Sequence, residues 1–280
     1  MTLTVRVYEH VTDPRLGRHV LHDSRSLLYT VGAVDDPRTL TSVRHAVNIP
    51  ILNQGNLGSC TGNAGTANMA SIGFWPSVAT LLSKTDGAKN ETWAVGLYSQ
   101  ATALDPWKGQ YPPTDTGSDG LSVAKALKAR GLISGYQHAT SRDATLTALA
   151  KQAVMVGTDW HEDMFQPAAD GRLSVTGDVA GGHEYVLDEL DVEHQRVWMR
   201  NSWGASWGID GRAWMSWDDL GTLLSANGDC TVLTPSTEPP PTPDPEVALS
   251  PALAKALERF TPTKGCPKYL REAWADNDKE

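Results

Sequence analysis

Gln54-Gly55-Asn56-Leu57-Gly58-Ser59-Cys60 is the stretch on which the reading of this chain turns. It sets a thiol directly after a Gly-Ser turn, with a carboxamide six positions upstream. A second stretch, Gly181-Gly182-His183, is followed eighteen residues after the histidine by Asn201-Ser202-Trp203-Gly204. Together they supply a nucleophile, a base, an amide able to orient that base and a second amide able to bind an oxyanion. Acyl-enzyme chemistry needs that set.

Each residue type suits its role. Ser59 is expected to cap a helix that begins at or near Cys60, where unpaired N–H groups and the helix dipole favour a thiolate and lower the thiol pKa. A histidine against the sulfur lowers it further, giving a thiolate–imidazolium pair. Gln54 Nε2 and the Cys60 N–H are the candidate oxyanion donors, and such a donor has been worth about 3–4 kcal/mol of barrier where tested. His183 is expected to project from the start of a strand and to shuttle the thiol proton to the leaving amine. Asn201 can accept from the imidazole and fix its tautomer, with Trp203 covering that bond and Gly182 as a supporting residue beside the histidine. Taken alone, Cys60 reads as a small buried hydrophobe and Gln54 as a turn residue, and Trp207 reads as core packing. The combination reverses the first two readings.

The 280 residues suffice for one large domain or two lobes, and 40% hydrophobic with 20% charged residues is a soluble globular composition. A formal net charge of −9 shows no basic face for nucleic acid. No window approaches a membrane span, and Met1 to His10 lacks the apolar run of a signal peptide. The cytoplasm is therefore the default compartment, with a phage- or virion-associated protein as the alternative. Three cysteines are too few for a disulfide scaffold, and a Cys230–Cys266 pair stays open. His10, His19, His22, His45, His138, His161 and His194 read as surface residues. His19 and His22 have a metal-like spacing, but no carboxylate or cysteine cluster accompanies them, so neither metal nor cofactor is expected.

Residues 1–46 read as strands and loops wrapping a larger body, with Leu3–Tyr8 and Leu27–Val31 extended. Helices are expected over Cys60–Ile72, with Gly62 and Gly65 permitting close packing, over Thr92–Ala103, and over Leu121–Arg130, ended by Gly131. Strands are expected at Ala153–Thr158, Glu184–Leu190, Arg196–Met199 and Arg212–Ser216. Helices first and strands later is an α+β pattern with a helical lobe and a sheet lobe. Residues 234–246 read as an extended Pro-rich linker barred from any sheet, and 247–280 as a short helical tail capped at Ser250 and presenting Leu253, Leu257 and Phe260 for docking on the body or on a partner.

These blocks resemble the papain-like cysteine peptidases, whose Gln-Gly-x-x-Gly-Ser-Cys is matched at 54–60, Gly-His at 182–183, and Asn-Ser-Trp-Gly-x-x-Trp-Gly at 201–208. His183 and Asn201 follow Cys60 by 123 and 141 residues, close to that family's separation of about 130–150. The likeness runs from about residue 48 to 233, and Asp115–Leu121 resembles the segment around the family's third helix. It implies a two-lobe α+β fold, a helical lobe and an antiparallel β-barrel-like lobe with the cleft between them, over 47–233. It also implies hydrolysis of peptide bonds in a protein or peptide substrate through a Cys60 thioester, with His183, Asn201 and Gln54 in the roles above. Leu57 stands where secreted members carry a cysteine, suggesting a reducing setting. Thr61 replaces the usual tryptophan, as in bacterial and phage-type members, and 59 residues before Cys60 are few for a long inhibitory segment. Two rival readings are a hydrolase of bacterial cell-wall peptides and a catalytically silent scaffold for binding or assembly.

Overall fold

A computed structural model describes residues 3–8, 11 and 13–236. The chain opens with a hairpin-like pair of strands, β1 (Leu3–Arg6) and β2 (Val20–Asp23), followed by 3-10 turns at Ser24–Tyr29 and Pro37–Thr39 and the short β3 (Val43–Arg44). Four helices follow: α1 (Cys60–Met69), α2 (Trp75–Val78), α3 (Gly87–Leu104) and α4 (Gly120–Ala129). The second half alternates strands and helices as β4 (Ile133–Ala139), α5 (Arg142–Leu149), β5 (Val154–His161), β6 (Val179–Asp191), β7 (Arg196–Arg200), β8 (Arg212–Ser216), α6 (Trp217–Ala226) and β9 (Asp229–Pro235).

Seven strands form one antiparallel sheet in the order β4-β9-β5-β6-β7-β8, with β3 added on β6. The path is open, since no pairing joins β4 to β8 among the described residues. Its central strands β5 and β6 are the wall between two hydrophobic cores. Side chains alternate in a strand, so Val154, Val156, Tyr185 and Leu187 enter the core under α5 and α6, while Met155 and Val186 enter the core of α1, α3 and α4. The same alternation turns His183 and Glu184 to opposite faces of β6. That single parity organises the site.

Several boundaries differ from the sequence expectation. Leu27–Tyr29 lies in a 3-10 turn started by Asp23, whose carboxylate accepts from the Arg25 N–H, so a local cap outweighs the β-propensity of the run. Helices α5 and α6 occupy a second half whose texture reads as mainly β; Ser141 and Ser216 cap them through their side chains. The strand holding His183 begins four residues earlier, at Val179. Thr234 and Pro235 end β9, paired to β4, because Pro235 is terminal and donates nothing to the ladder. The remainder of the Pro-rich stretch, the 247–280 tail and Cys266 lie outside the described residues, while Cys230 is a buried thiol. No described helix is long and apolar enough to cross a membrane.

The close packing expected of Gly62 and Gly65 is present. A Cβ at Gly62 would stand 2.5 Å from the Ala94 carbonyl and 2.8 Å from the Tyr98 nitrogen, both backbone atoms of α3. Gly62→Ala should therefore separate α1 from α3 and cost about 1–3 kcal/mol, read as a lower thermal midpoint by calorimetry. Gly87→Ala, where a Cβ meets nothing within 4 Å, should leave the midpoint unchanged or raise it.

Candidate active site

Cys60 is the first residue of α1 and is fully buried. The loop before it is held from all sides. The Gln54 N–H donates to the Ser202 carbonyl at 2.9 Å, and its Oε1 accepts from Ser202 Oγ at 2.6 Å. Its Nε2 donates to the carbonyls of Leu57 (2.7 Å) and Arg15 (3.0 Å). Gly55 turns the loop at φ +60°, and the Gly58 N–H donates to Asp115 Oδ2 at 2.7 Å. From α3, Glu91 accepts from the Asn53 N–H at 3.0 Å and from Asn63 Nδ2 at 2.7 Å, tying the loop to the first turn of α1. Ser59 occupies the cap position without capping: its Oγ donates to Asn63 Oδ1 at 2.9 Å.

His183 is also fully buried. Its Nε2 lies 2.7 Å from Asn201 Oδ1, and the same Oδ1 accepts from the Ser202 N–H at 2.8 Å. The backbone donor identifies that atom as the carbonyl oxygen, so Nε2 must carry the hydrogen. The lone pair of the neutral ring is thereby placed on Nδ1, which closes no hydrogen bond. Trp160 and Trp203 each pack on the ring with centroids 4.8 Å away, and Trp207 stands edge-on to Trp203 at 5.6 Å. The cover expected of Trp203 is thus shared with Trp160, which the sequence did not single out. Backbone groups of Glu184, the residue after His183, and of Gly17 and Thr61 act to lower the Cys60 thiol pKa, against the larger effect of burial.

Residues 13–19 cross directly over these groups. The Arg15 guanidinium stacks on Trp203 at 4.1 Å and its carbonyl sits on Gln54 Nε2. Burial pushes the Cys60 thiol up to about 12 and His183 down to about 4, the second helped by the Arg15 charge and opposed by the Asn201 bond. With the segment in place the two groups are a neutral thiol and a neutral imidazole. This reverses the expected thiolate–imidazolium pair, because desolvation outweighs the helix-terminal dipole.

No family model and no curated protein matches the sequence. Among solved structures, xylellain, a cysteine protease from Xylella fastidiosa, aligns over 84% of this chain and 100% of its own, with a TM-score of 0.59 at 17% identity. Digestive procathepsin L 3 of Tenebrio molitor larval midgut aligns over 82% of this chain and 83% of its own, with a TM-score of 0.53 at 14% identity. The fold is papain-like. It has the two lobes that the sequence pattern implied, with an open sheet in the second.

Within this papain-like frame, Ser202 stitches the loop of Gln54 and Cys60 to Asn201 just after β7, and through Asn201 to His183 within β6. The flanking Gly182 is required by close approach, since a Cβ there would overlap the Arg18 carbonyl. The histidines divide otherwise than expected. His19 and His45 are buried, each on a backbone carbonyl (Thr116 at 2.7 Å, Leu149 at 2.6 Å). His138 is half-buried, and burial lowers its pKa. His10 lies outside the described residues. No group of metal-ligating side chains occurs among the described residues. Sequence reading missed Glu91, Ser202, Glu184 and the Arg15–Arg18 segment. Ser202 lies inside a block already singled out, but the other partners are distant in sequence and carry no local signal.

Burial raises Glu91 from 4.5 to about 7. Its folded state holds a proton that the unfolded chain releases, so its contribution is greatest below pH 4.5 and fades as pH rises toward 7. Glu91→Gln should accordingly gain in thermal midpoint relative to wild type across that window, and the difference should be flat below it. Glu91→Ala, which leaves two donors unpaired, should cost about 1–3 kcal/mol.

Proposed function

We propose that the chain is a thiol peptidase acting in the cleft between its two lobes. Cys60 Sγ attacks the substrate carbonyl carbon while its proton passes to His183 Nδ1. The resulting oxyanion takes hydrogen bonds from Gln54 Nε2 and the Cys60 N–H. The C–N bond then breaks, with His183 returning the proton to the departing amine and leaving a thioester on Cys60. Water, deprotonated by His183, hydrolyses the thioester and frees the thiol. Asn201 keeps Nδ1 available by holding the opposite nitrogen.

The observation that carries this reading is the bond pattern at Asn201 Oδ1. It leaves the Nδ1 lone pair free to take a proton, and β6 packs against α1, the helix that Cys60 begins. The intact set of four groups supports a working centre over a binding-only scaffold.

The segment over the thiol must move before substrate can enter. It passes Gly58 so closely that a Cβ at Gly17 would overlap the Gly58 carbonyl. Gly17→Ala should therefore displace it and speed covalent labelling of Cys60 by an epoxide-type thiol reagent, followed by mass spectrometry, with buried Cys230 as the unlabelled internal control. Fluorogenic peptide cleavage should appear with it, be absent in Cys60→Ala, and drop about 10²–10³-fold in Gln54→Ala. A folded Gly17→Ala protein whose Cys60 stays unlabelled and which cleaves nothing would defeat the reading.

A further inference from the structure

Residues 15–19 lie between the lobes as a bound peptide does. The Arg18 N–H donates to the Gly182 carbonyl at 3.1 Å on the sheet side. On the helical side the His19 N–H donates to the Ser118 carbonyl (2.7 Å) and the Ser118 N–H to the Gly17 carbonyl (2.8 Å). Main-chain pairing on both edges is the way extended peptides are gripped without regard to sequence, and selectivity is left to the side-chain pockets beneath.

One side chain of this segment enters such a pocket completely. Arg18 is 0% exposed. Its Nη2 is paired with Asp229 and donates to the Asn227 carbonyl at 2.8 Å. Its Nη1 reaches Tyr8 Oη at 3.4 Å, and its Nε lies 3.9 Å from Glu184 Oε2. Tyr8 in turn donates to Asp159, and both Glu184 oxygens are buried without a hydrogen-bond partner.

The pocket is shaped as well as charged. A Cβ at Gly157 would stand 2.6 Å from Arg18 Nε and overlap Glu184 Oε2, and one at Gly120 would stand 2.5 Å from Glu184 Oε1. Two glycines thus clear the volume that a guanidinium and a carboxyl share. Buried acids with unfilled acceptors are costly without a cation, and an apolar pair would hold a structural strap with no such cost. We infer that this pocket is a side-chain subsite of the cleft that selects peptides bearing a cationic residue, arginine above all, and that Arg18 occupies it in the resting chain.

The inference names the substrate class of the proposed peptidase and rests on that reading for its catalytic consequence. Its test reads binding separately from turnover. The probe is a fluorescent peptide of residues 13–21, carrying either arginine or its neutral isostere citrulline at the position of Arg18. Anisotropy titrations use full-length Arg18→Ala, in which the pocket is vacated, and full-length Gly17→Ala as a second host should the first not fold. The arginine peptide should bind about tenfold or more tightly than the citrulline peptide, and Glu184→Gln with Asp229→Asn in the same host should erase the difference. A fluorogenic peptide library should show arginine and lysine favoured at one position. Equal binding of the two peptides overturns the inference, and Arg18 is then only an anchor of the fold. Cleavage without cationic preference leaves the peptidase and removes the subsite. Arginine-selective binding with no cleavage and no labelling of Cys60 keeps the subsite and removes the peptidase.

Discussion

Ser202 joins the two halves of the molecule at their most consequential point. Its hydroxyl and carbonyl hold Gln54 by side chain and backbone, and its N–H holds Asn201 Oδ1, which in turn holds His183. The loop leading to the thiol belongs to the helical lobe, and the strand carrying the imidazole belongs to the sheet. Without this joint, each half would fix its own groups with no common frame. Four buried hydrogen bonds, each weak in net terms but expensive to leave unmade, set where the lobes meet.

The second constraint is the parity of β6. Consecutive residues must face opposite cores, so a histidine turned to the tryptophan cluster forces its neighbour toward α4 and β9. Glu184 is there, buried among Gly120, Gly157 and Arg18. A carboxylate in that position is costly, and burial favours the neutral acid. Burial pushes its carboxyl pKa well above the ordinary value, and Arg18, 166 residues away in sequence, brings its Nε to 3.9 Å, which partly opposes that rise.

What could be read from residues alone follows from how local the physics is. Gln54, Cys60, His183 and Asn201 were legible because each sits in a short block with its own turn residues, and those blocks occur in one order. The helices α1, α3 and α4 were legible from their spacing and from Gly131 at φ +69°, although α3 begins at Gly87, five residues before the expected Thr92. Helices α5 and α6 were not, because their inward positions are largely Ala and Thr in the first and only Trp217, Leu220 and Leu223 in the second. The burial of Arg18, His19 and His45 was illegible for another reason: their partners are supplied by segments about a hundred to two hundred residues distant.

The same distance effect explains why the expected charge state failed. Helix-terminal position and a histidine neighbour are local features, and both argue for a thiolate. Desolvation is not local. The segment from Asp13 to His19 lies against the pair and brings the Arg15 cation over Trp203, whose ring also packs against His183. Burial and that cation both destabilise an imidazolium, and burial also destabilises a thiolate. On the reading proposed above, lifting the segment would relieve the burial that pushes Cys60 up to about 12 and His183 down to about 4. In the proposed mechanism, proton transfer from Cys60 to His183 would become easier as that burial is relieved.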